Sequence, residues 1–375
     1  MISNLIHIIN GNRLGGAQQY ALDICRHYRD RGVNVIALTR GARAVDSSFE
    51  ADGIALAHAP LRGVLDIASV WRLAKVLRNL PKGPTVVHAH RYSDANIAVL
   101  AKSLAKRHDV RIVTTRHAVR RGRNTSVFRR LYRHIDAHIF VSKAAYDRFC
   151  RSWTGRHKPL PSQKVFILHN SLNLGLKAPL PLPEKGPVTA MYHGSIAERK
   201  GLETLIDALM LTEGTKIRLT IAGTGNPDFL DQLRRRAMAR GVMEIIDWNT
   251  NCKDPLPLIA RCHFGVVPSV ESEAFGMSNL RFMACGRPQI STMTGARPEY
   301  LQDGKTALVV APADAGALAD AMKRLAADAS LRDRLAHNAF DEFNRSMAWN
   351  VFIRHLDEIY SPSSGNPETS HCNEA

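Results

Sequence analysis

A chain of 375 residues, 45% hydrophobic and 23% charged, can bury two cores of ordinary domain size, which sets disorder aside as the default. Its apolar runs are of strand length, far short of the roughly 20 residues a spanning helix needs, so no transmembrane helix is expected. The net charge of +17 is uneven: residues 1–170 hold 29 Lys and Arg against 10 Asp and Glu, and residues 171–375 hold 22 against 24. The first half should therefore meet something anionic: a membrane surface, a phosphorylated glycan or nucleic acid. The six cysteines are scattered with no Cys-x-x-Cys pair, which fits free thiols in a reducing cytosol and implies no metal site.

The first residues lack a basic stretch and a cleavage site, so they read as a strand over 5–9 and not as a signal peptide. A turn follows, Gly11-Asn12-Arg13-Leu14-Gly15-Gly16, then a helix over 17–30. The glycines let backbone approach a ligand, but their spacing is not the dinucleotide fingerprint. Strands over 33–38, 54–57, 85–90, 111–115, 138–141 and 165–168 alternate with helices over 65–80 and 94–105 and from Ser142. Such alternation predicts a parallel sheet covered on both faces, with ligands outside the carboxyl ends of its strands. His90 and His117 fall at two of those ends. The stretch 116–133 is densely basic (Arg116, Arg120, Arg121, Arg123, Arg129, Arg130, Arg133). Val127, Leu131 and His134 recur at helical spacing in it, predicting an amphipathic basic helix at a cleft rim or membrane surface. Few aromatics interleave with these arginines, which argues against a stacking platform for nucleic acid.

A proline-bearing stretch then marks a linker. Beyond it the alternation resumes: strands over 188–193, 217–222, 242–247, 263–267 and 288–291, with short helices over 255–262 and 277–284. The loop 268–276 feeds the helix 277–284 at the end of a strand. Free backbone amides and the helix dipole make that an anion site. Glu271 and Glu273 stand just before it and are suited to neutral hydroxyls instead. Phosphate beside hydroxyls suggests a nucleotide-sugar. Helices over 313–328, 330–345 and 349–360 close the chain, and residues 361–375 are expected to be disordered.

The run Pro268-Ser269-x-x-x-Glu273-x-Phe275-Gly276, followed by a helix ending Met283-Ala284-Cys285-Gly286-x-Pro288, resembles the donor-site signature of retaining GT-B glycosyltransferases of the family-4 type (glycosyl transferases group 1). The resemblance implies an α/β fold of two Rossmann-like parallel-sheet domains facing across a cleft. They would be an acceptor-side domain over 1–170, a linker over 171–186, a nucleotide-sugar domain over 187–345, and a helix over 346–360 crossing back to the first domain. It implies that Glu273 holds donor sugar hydroxyls and that His117 lies near the transferred sugar. The diphosphate would meet Gly15, Gly16, Lys200, Arg199 and the turn Phe275-Gly276-Met277-Ser278. Gly223 and Trp248 would line the donor site, Trp248 where the family holds its base. The family's second Glu, which binds ribose hydroxyls, falls on Arg281, and its donor-site Arg falls on Ser195. Ser171 and Asn173 also depart from the family's interdomain corner.

The expected activity is transfer of a sugar, with retention, from a nucleoside diphosphate to an anionic glycan or lipid-linked acceptor such as lipopolysaccharide core. Arg116, Arg120, Arg121 and Arg123 would face acceptor or membrane. The place expected is the inner face of the cell membrane, as a peripheral cytoplasmic protein. No cofactor and no metal are expected, since no Asp-x-Asp triplet occurs. Arg281 and Ser195 keep a second reading open, a nucleotide-binding scaffold with weakened catalysis. A nucleic-acid-binding α/β protein is a third, and it leaves the donor motif unexplained.

Overall fold

The computed structural model describes residues 2–13, 15–153, 160–184, 186–252 and 254–361. The chain divides into two units, Met1–His169 with Phe352–Ala375, and Asn170–Val351.

The first unit holds β1 (Asn4–Ile9), α1 (Gly16–Asp30), β2 (Asn34–Thr39), α2 (Arg43–Ala51), β3 (Ala55–His58), α3 (Ile67–Asn79), β4 (Thr85–Ala89), α4 (Tyr92–Ala105), β5 (Val110–Arg116), α5 (Ser126–His134), β6 (Ala137–Phe140), α6 (Lys143–Cys150) and β7 (Val165–Ile167). Its sheet runs β3-β2-β1-β4-β5-β6-β7, with every pairing parallel. All six residues of β1 are buried, as a strand covered on both faces requires. Ile6, Ile8, Val87 and Ile112 pack with Leu73, Leu77 and Ala98 in one core cluster. The strand order reverses between β1 and β4, where open α/β sheets bind ligands.

The second unit holds β8 (Thr189–His193), α7 (Leu202–Met210), β9 (Arg218–Ala222), α8 (Pro227–Ala239), β10 (Ile246–Asn249), α9 (Leu256–Arg261), β11 (Phe264–Val267), α10 (Met277–Ala284), β12 (Gln289–Thr292), β13 (Leu308–Val310), α11 (Ala315–Ala327) and α12 (Ala329–Ser346). Its sheet runs β10-β9-β8-β11-β12-β13, again parallel throughout. Here the reversal lies between β8 and β11. The last helix, α13 (Trp349–Tyr360), joins the first unit from Phe352 onward. Tyr28 donates to Asp357 at 2.8 Å, and the Tyr360 hydroxyl meets His88 Nδ1 at 2.6 Å. No helix among the described residues is long and apolar enough to cross a membrane.

Several expectations need correction. The basic helix α5 buries Phe128, Leu131 and Tyr132. Val127 is 60% exposed and His134 is exposed as well, because the two aromatics offer more apolar area than Val127 and His134. The structure adds two helices to those expected, α2 and α8, and the strand β13. Helix α2 buries Val45 and Phe49, one turn apart. Helix α8 begins at Asn226, whose side chain caps Asp228, and buries Phe229, Leu233 and Ala237 on one stripe. The strand expected over 242–247 starts later, after a 3-10 turn at Met243–Ile245. The proline-bearing linker is seated on the second unit. Arg287, with no exposed surface, donates to the carbonyls of Leu180 (2.6 Å) and Pro181 (2.9 Å) and to those of Ile259 and Ala260 (2.9 Å each). The expected disordered tail lies, beyond Ser361, outside the described residues.

Candidate active site

In the second unit the chain leaves β11 through Pro268 and returns into α10, one side of the strand-order reversal. Lys200, arriving from the loop after β8, donates to Glu273 Oε1 at 2.7 Å. Arg297 donates to the same oxygen at 2.9 Å, and so does the Ser269 hydroxyl. The side chains of Lys200, Glu273 and Arg297 are 10%, 12% and 0% exposed. Three donors thus converge on one oxygen, and Oε2 has no protein partner among the described residues. Burial alone would raise the Glu273 pKa, but Lys200 and Arg297 outweigh it and hold the carboxyl at about 2. Burial outweighs Glu273 at the other end of the pair and pushes the Lys200 ammonium below its usual value. The cluster carries two cations and one anion, so it keeps one positive charge for a ligand.

A second layer fixes that cluster. Arg297 Nε donates to Asn279 Oδ1 at 2.8 Å, and its Nη1 donates to Thr294 Oγ1. Asn279 donates to Gln289 Oε1 (2.8 Å) and Ser291 Oγ (3.0 Å). Gly295 has φ +66°, and a Cβ there would lie 2.1 Å from the Glu273 carbonyl oxygen, so only glycine lets the 294–297 loop close over Glu273. Gly276, at φ +106°, faces the Tyr300 hydroxyl 2.6 Å from a built Cβ and opens α10. The first-turn amides of such a helix have no intrahelical acceptor. Ser278 donates from its hydroxyl to the His193 carbonyl at 2.6 Å, which ties α10 to the end of β8. His193 is buried, and desolvation with the nearby Arg281 charge lowers its pKa to about 3.

The expected donor residues fare unequally. Glu273 and Lys200 pair as described, Gly276 lies beside Arg297, and Met277 and Ser278 form the first turn of α10. Arg199 is exposed beside Lys200, and its carbonyl accepts from the Val270 amide at 3.0 Å. Gly223 ends β9, its amide donating to Asn249 at 3.1 Å. Phe275 is 2% exposed and packs on Tyr300 with ring centroids 5.0 Å apart. It is a wedge under the loop and not a donor surface. Trp248 stands opposite Ile221 and packs half-buried against the core cluster, with the Arg234 guanidinium 5.8 Å above its ring and its Nε1 without a hydrogen-bond partner among the described residues. Arg297, Thr294 and Asn279 are not among the expected site residues, and Ser269 is expected only as part of the donor signature. They come from two loops and from α10, and only the fold shows that they converge.

In the first unit, His117 follows β5 and His90 follows β4, and they are joined. His90 Nδ1 lies 3.1 Å from His117 Nε2, and His90 Nε2 lies 3.1 Å from His7 Nδ1. His88 Nε2 meets Thr115 Oγ1 at 2.7 Å. Burial lowers the pKa of all four imidazoles, to about 3 at His7 and about 4 at His117. A chain of neutral rings fixes the tautomer of each member through its neighbour. Gly15 is exposed, its amide donating to Gln18 Oε1 at 3.1 Å, and Gly16 begins α1. Arg116 Nη2 donates to the Arg120 carbonyl at 2.7 Å, and the Arg123 guanidinium stands 5.1 Å from the centre of the Phe128 ring. Among the described residues no group of three His, Cys, Asp or Glu is arranged to hold a metal ion.

Residues 14–176 match the family model for Glycosyltransferase Family 4, and residues 187–328 match that for glycosyl transferases group 1. A glycogen synthase of Mycobacterium tuberculosis is 27% identical over 88% of this chain and 80% of its own. A phosphatidyl-myo-inositol mannosyltransferase of Mycobacterium leprae is 27% identical over 92% of both chains. A lipopolysaccharide core biosynthesis glycosyltransferase of Rhizobium meliloti is 30% identical over 48% of this chain and 52% of its own. Among solved structures, the Anabaena protein HepE in complex with UDP and glucose superposes with TM-score 0.78 at 17% identity, covering 97% of this chain and all of that one. Two parallel sheets of this order and two family models spanning most of the chain lead to one conclusion: the chain is a GT-B glycosyltransferase of the group 1, family 4 kind.

Proposed function

We propose that this glycosyltransferase takes a sugar from a nucleoside diphosphate and transfers it, with retained configuration, to an anionic glycan or lipid-linked glycan of the cell surface. The observation that carries the donor half is the open oxygen of Glu273. Three donors hold Oε1 and leave Oε2 to accept from sugar hydroxyls. With its pKa near 2, Glu273 has no proton to give and acts as an acceptor and not as an acid. The leaving diphosphate is stabilised by Lys200, by Arg199 at the rim and by the opening amides of α10. These charges are in place before reaction and need no rearrangement. A retaining glycosidase scheme would need two carboxylates about 5 Å apart, and the buried cluster contains one.

The acceptor half is supported by charge, and by the relatives that act in lipopolysaccharide core and phosphatidyl-myo-inositol chemistry. The first half's excess of cations favours an acceptor with anionic groups and attachment to the cytoplasmic face of an anionic membrane. HepE was crystallised with UDP and glucose, so UDP-sugars head the list of donors. The test is a thermal-shift panel of UDP-, GDP- and ADP-sugars, followed by transfer of the one that stabilises the chain. One donor should raise Tm by several degrees and be turned over in the presence of acceptor glycan. Stabilisation by none of them would overturn the reading.

A further inference from the structure

At the carboxyl edge of β1, β4 and β5 the first unit has a cavity of about 900 Å³, within the size range of small-molecule sites. Six buried side-chain polar atoms among the described residues lack a hydrogen-bond partner, and three of them belong to residues lining this cavity: Asn10 Oδ1, Asp94 Oδ2 and Arg116 Nε. Buried polar groups are nearly always paired, so this concentration marks a place made for a ligand. Asn10 and Asp94 are 8% and 0% exposed. The Asn10 amide nitrogen donates to Asp94 Oδ1 at 2.9 Å and to the Leu61 carbonyl at 3.0 Å, and the Ser93 hydroxyl donates to Asp94 Oδ1 at 3.1 Å. That arrangement leaves one oxygen on each residue as an acceptor, matched to hydroxyl donors.

Arg116 makes the cavity cationic. Its guanidinium stacks on Phe149 (4.9 Å) and Tyr92 (5.7 Å), spends Nη2 on the Arg120 and Arg121 carbonyls, and has no carboxylate partner among the described residues. Arg91, Arg120, Arg121 and Arg123 line the same cavity, against Asp94 as the one acid in its lining. The arginine loop is seated: the Gly122 amide donates to the Phe149 carbonyl at 3.1 Å, and a Cβ at Gly122 would lie 2.4–2.7 Å from the Trp153 and Phe149 rings. A fork of arginines with one acid in a stacked, partly dry site suits a doubly charged phosphate better than a single carboxylate.

We infer that this cavity binds a phosphorylated polyol ring of the acceptor, its hydroxyls donating to Asn10 Oδ1 and Asp94 Oδ2 and its phosphate taken by Arg116 with the rim arginines. The inference rests on the acceptor reading above. Calorimetry on the full chain would compare glucose 6-phosphate and inositol 1-phosphate with glucose, inositol, glucuronate and inorganic phosphate. A phosphorylated ring should bind at least tenfold tighter than its neutral counterpart, than glucuronate and than phosphate alone. Arg116→Met and Asp94→Leu should each cut that affinity tenfold or more, and Asp94→Asn, which keeps the oxygen that Asn10 and Ser93 hold but puts an amide nitrogen in place of the free acceptor, should lose several-fold. Arg120→Ser with Arg121→Ser, both at exposed positions, gives a several-fold loss without touching the interior. Phosphatidylcholine vesicles with and without phosphatidylinositol separate a lipid headgroup from a soluble acceptor, and either supports the inference. Equal affinity for phosphorylated and neutral rings, no binding by either, or affinity unchanged in the arginine variants overturns it. Nucleoside diphosphate binding reports chiefly on the Lys200–Glu273–Arg297 cluster of the second unit. Its loss would strike the donor reading and leave this cavity's ligand measurable.

Discussion

Glu273→Gln keeps the shape of the side chain and removes its charge. In the folded chain the carboxyl is held at about 2 against an ordinary 4.5. A shift of that size corresponds to about 3 kcal/mol of stability at neutral pH, part of it offset by the desolvated Lys200. The sign follows from the depressed folded value: the contribution is fully present above pH 4.5 and is lost as pH falls through about 2. Urea unfolding should therefore show the variant less stable by up to about 3 kcal/mol at pH 7, with the gap narrowing below pH 4.5. Binding separates structure from function. Oε2 is the oxygen offered to sugar hydroxyls, and a charged hydrogen bond is worth about 1.5–3 kcal/mol. The sugar-bearing donor should bind roughly ten- to hundredfold more weakly. The bare nucleoside diphosphate, which gains a Lys200 freed of its anion, should bind no more weakly than before. Equal weakening of both ligands, or a stability gap that does not change between pH 5 and pH 3, would refute the reasoning.

Arg297→Lys should lower stability by about 3 kcal/mol in urea unfolding, because an ammonium cannot reach Asn279, Thr294, Ser269 and Glu273 together; a loss under about 1 kcal/mol would remove Arg297 as the organiser of the site. Gly295→Ala should displace the 294–297 loop and abolish transfer with the first unit intact, checked by sugar-transfer assay beside acceptor binding; full activity would contradict the closure over Glu273. The lowered pKa values of His7, His88, His90 and His117 predict that stability falls as pH drops below about 6.5, with none of these four rings titrating between pH 5 and 8 by NMR; a titration near 6.5 at His117 would break the neutral chain. Arg281→Glu puts an acceptor where the family resemblance leads one to expect it and should tighten nucleotide binding by calorimetry; weaker binding would mean that Arg281 itself holds the ligand.

Alternation of short apolar strands with helices is visible in the sequence because a sheet buried on both faces needs near-continuous Val, Ile and Leu. Helix α10 is legible to the residue, since Gly276 opens it and Gly286 and Pro288 stop it. Helix α5 shows the limit. Spacings 127-131-134 and 128-131-132 both fit a helix face, and only packing chooses the aromatic one. The face that Trp248 takes is hidden in the same way, because it depends on a register with β9 that one strand does not reveal. Lys200 and Glu273 lie 73 residues apart and are linked in the sequence only through the family resemblance. Arg297 sits in a 3-10 turn, within a stretch, 294–299, that resembles the family's closing loop but gives no sign of its partner. Its role follows from its pairing with Glu273 and Ser269, which exists only once the loops are folded together.

The most direct test of the central claim is proton NMR of the anomeric signals during transfer by the full chain from its nucleotide-sugar. The account predicts a product with the donor's anomeric configuration from the wild type, and at least tenfold slower formation of the same product from Glu273→Gln at subsaturating donor. An inverted product, or turnover unchanged by the substitution, would contradict it.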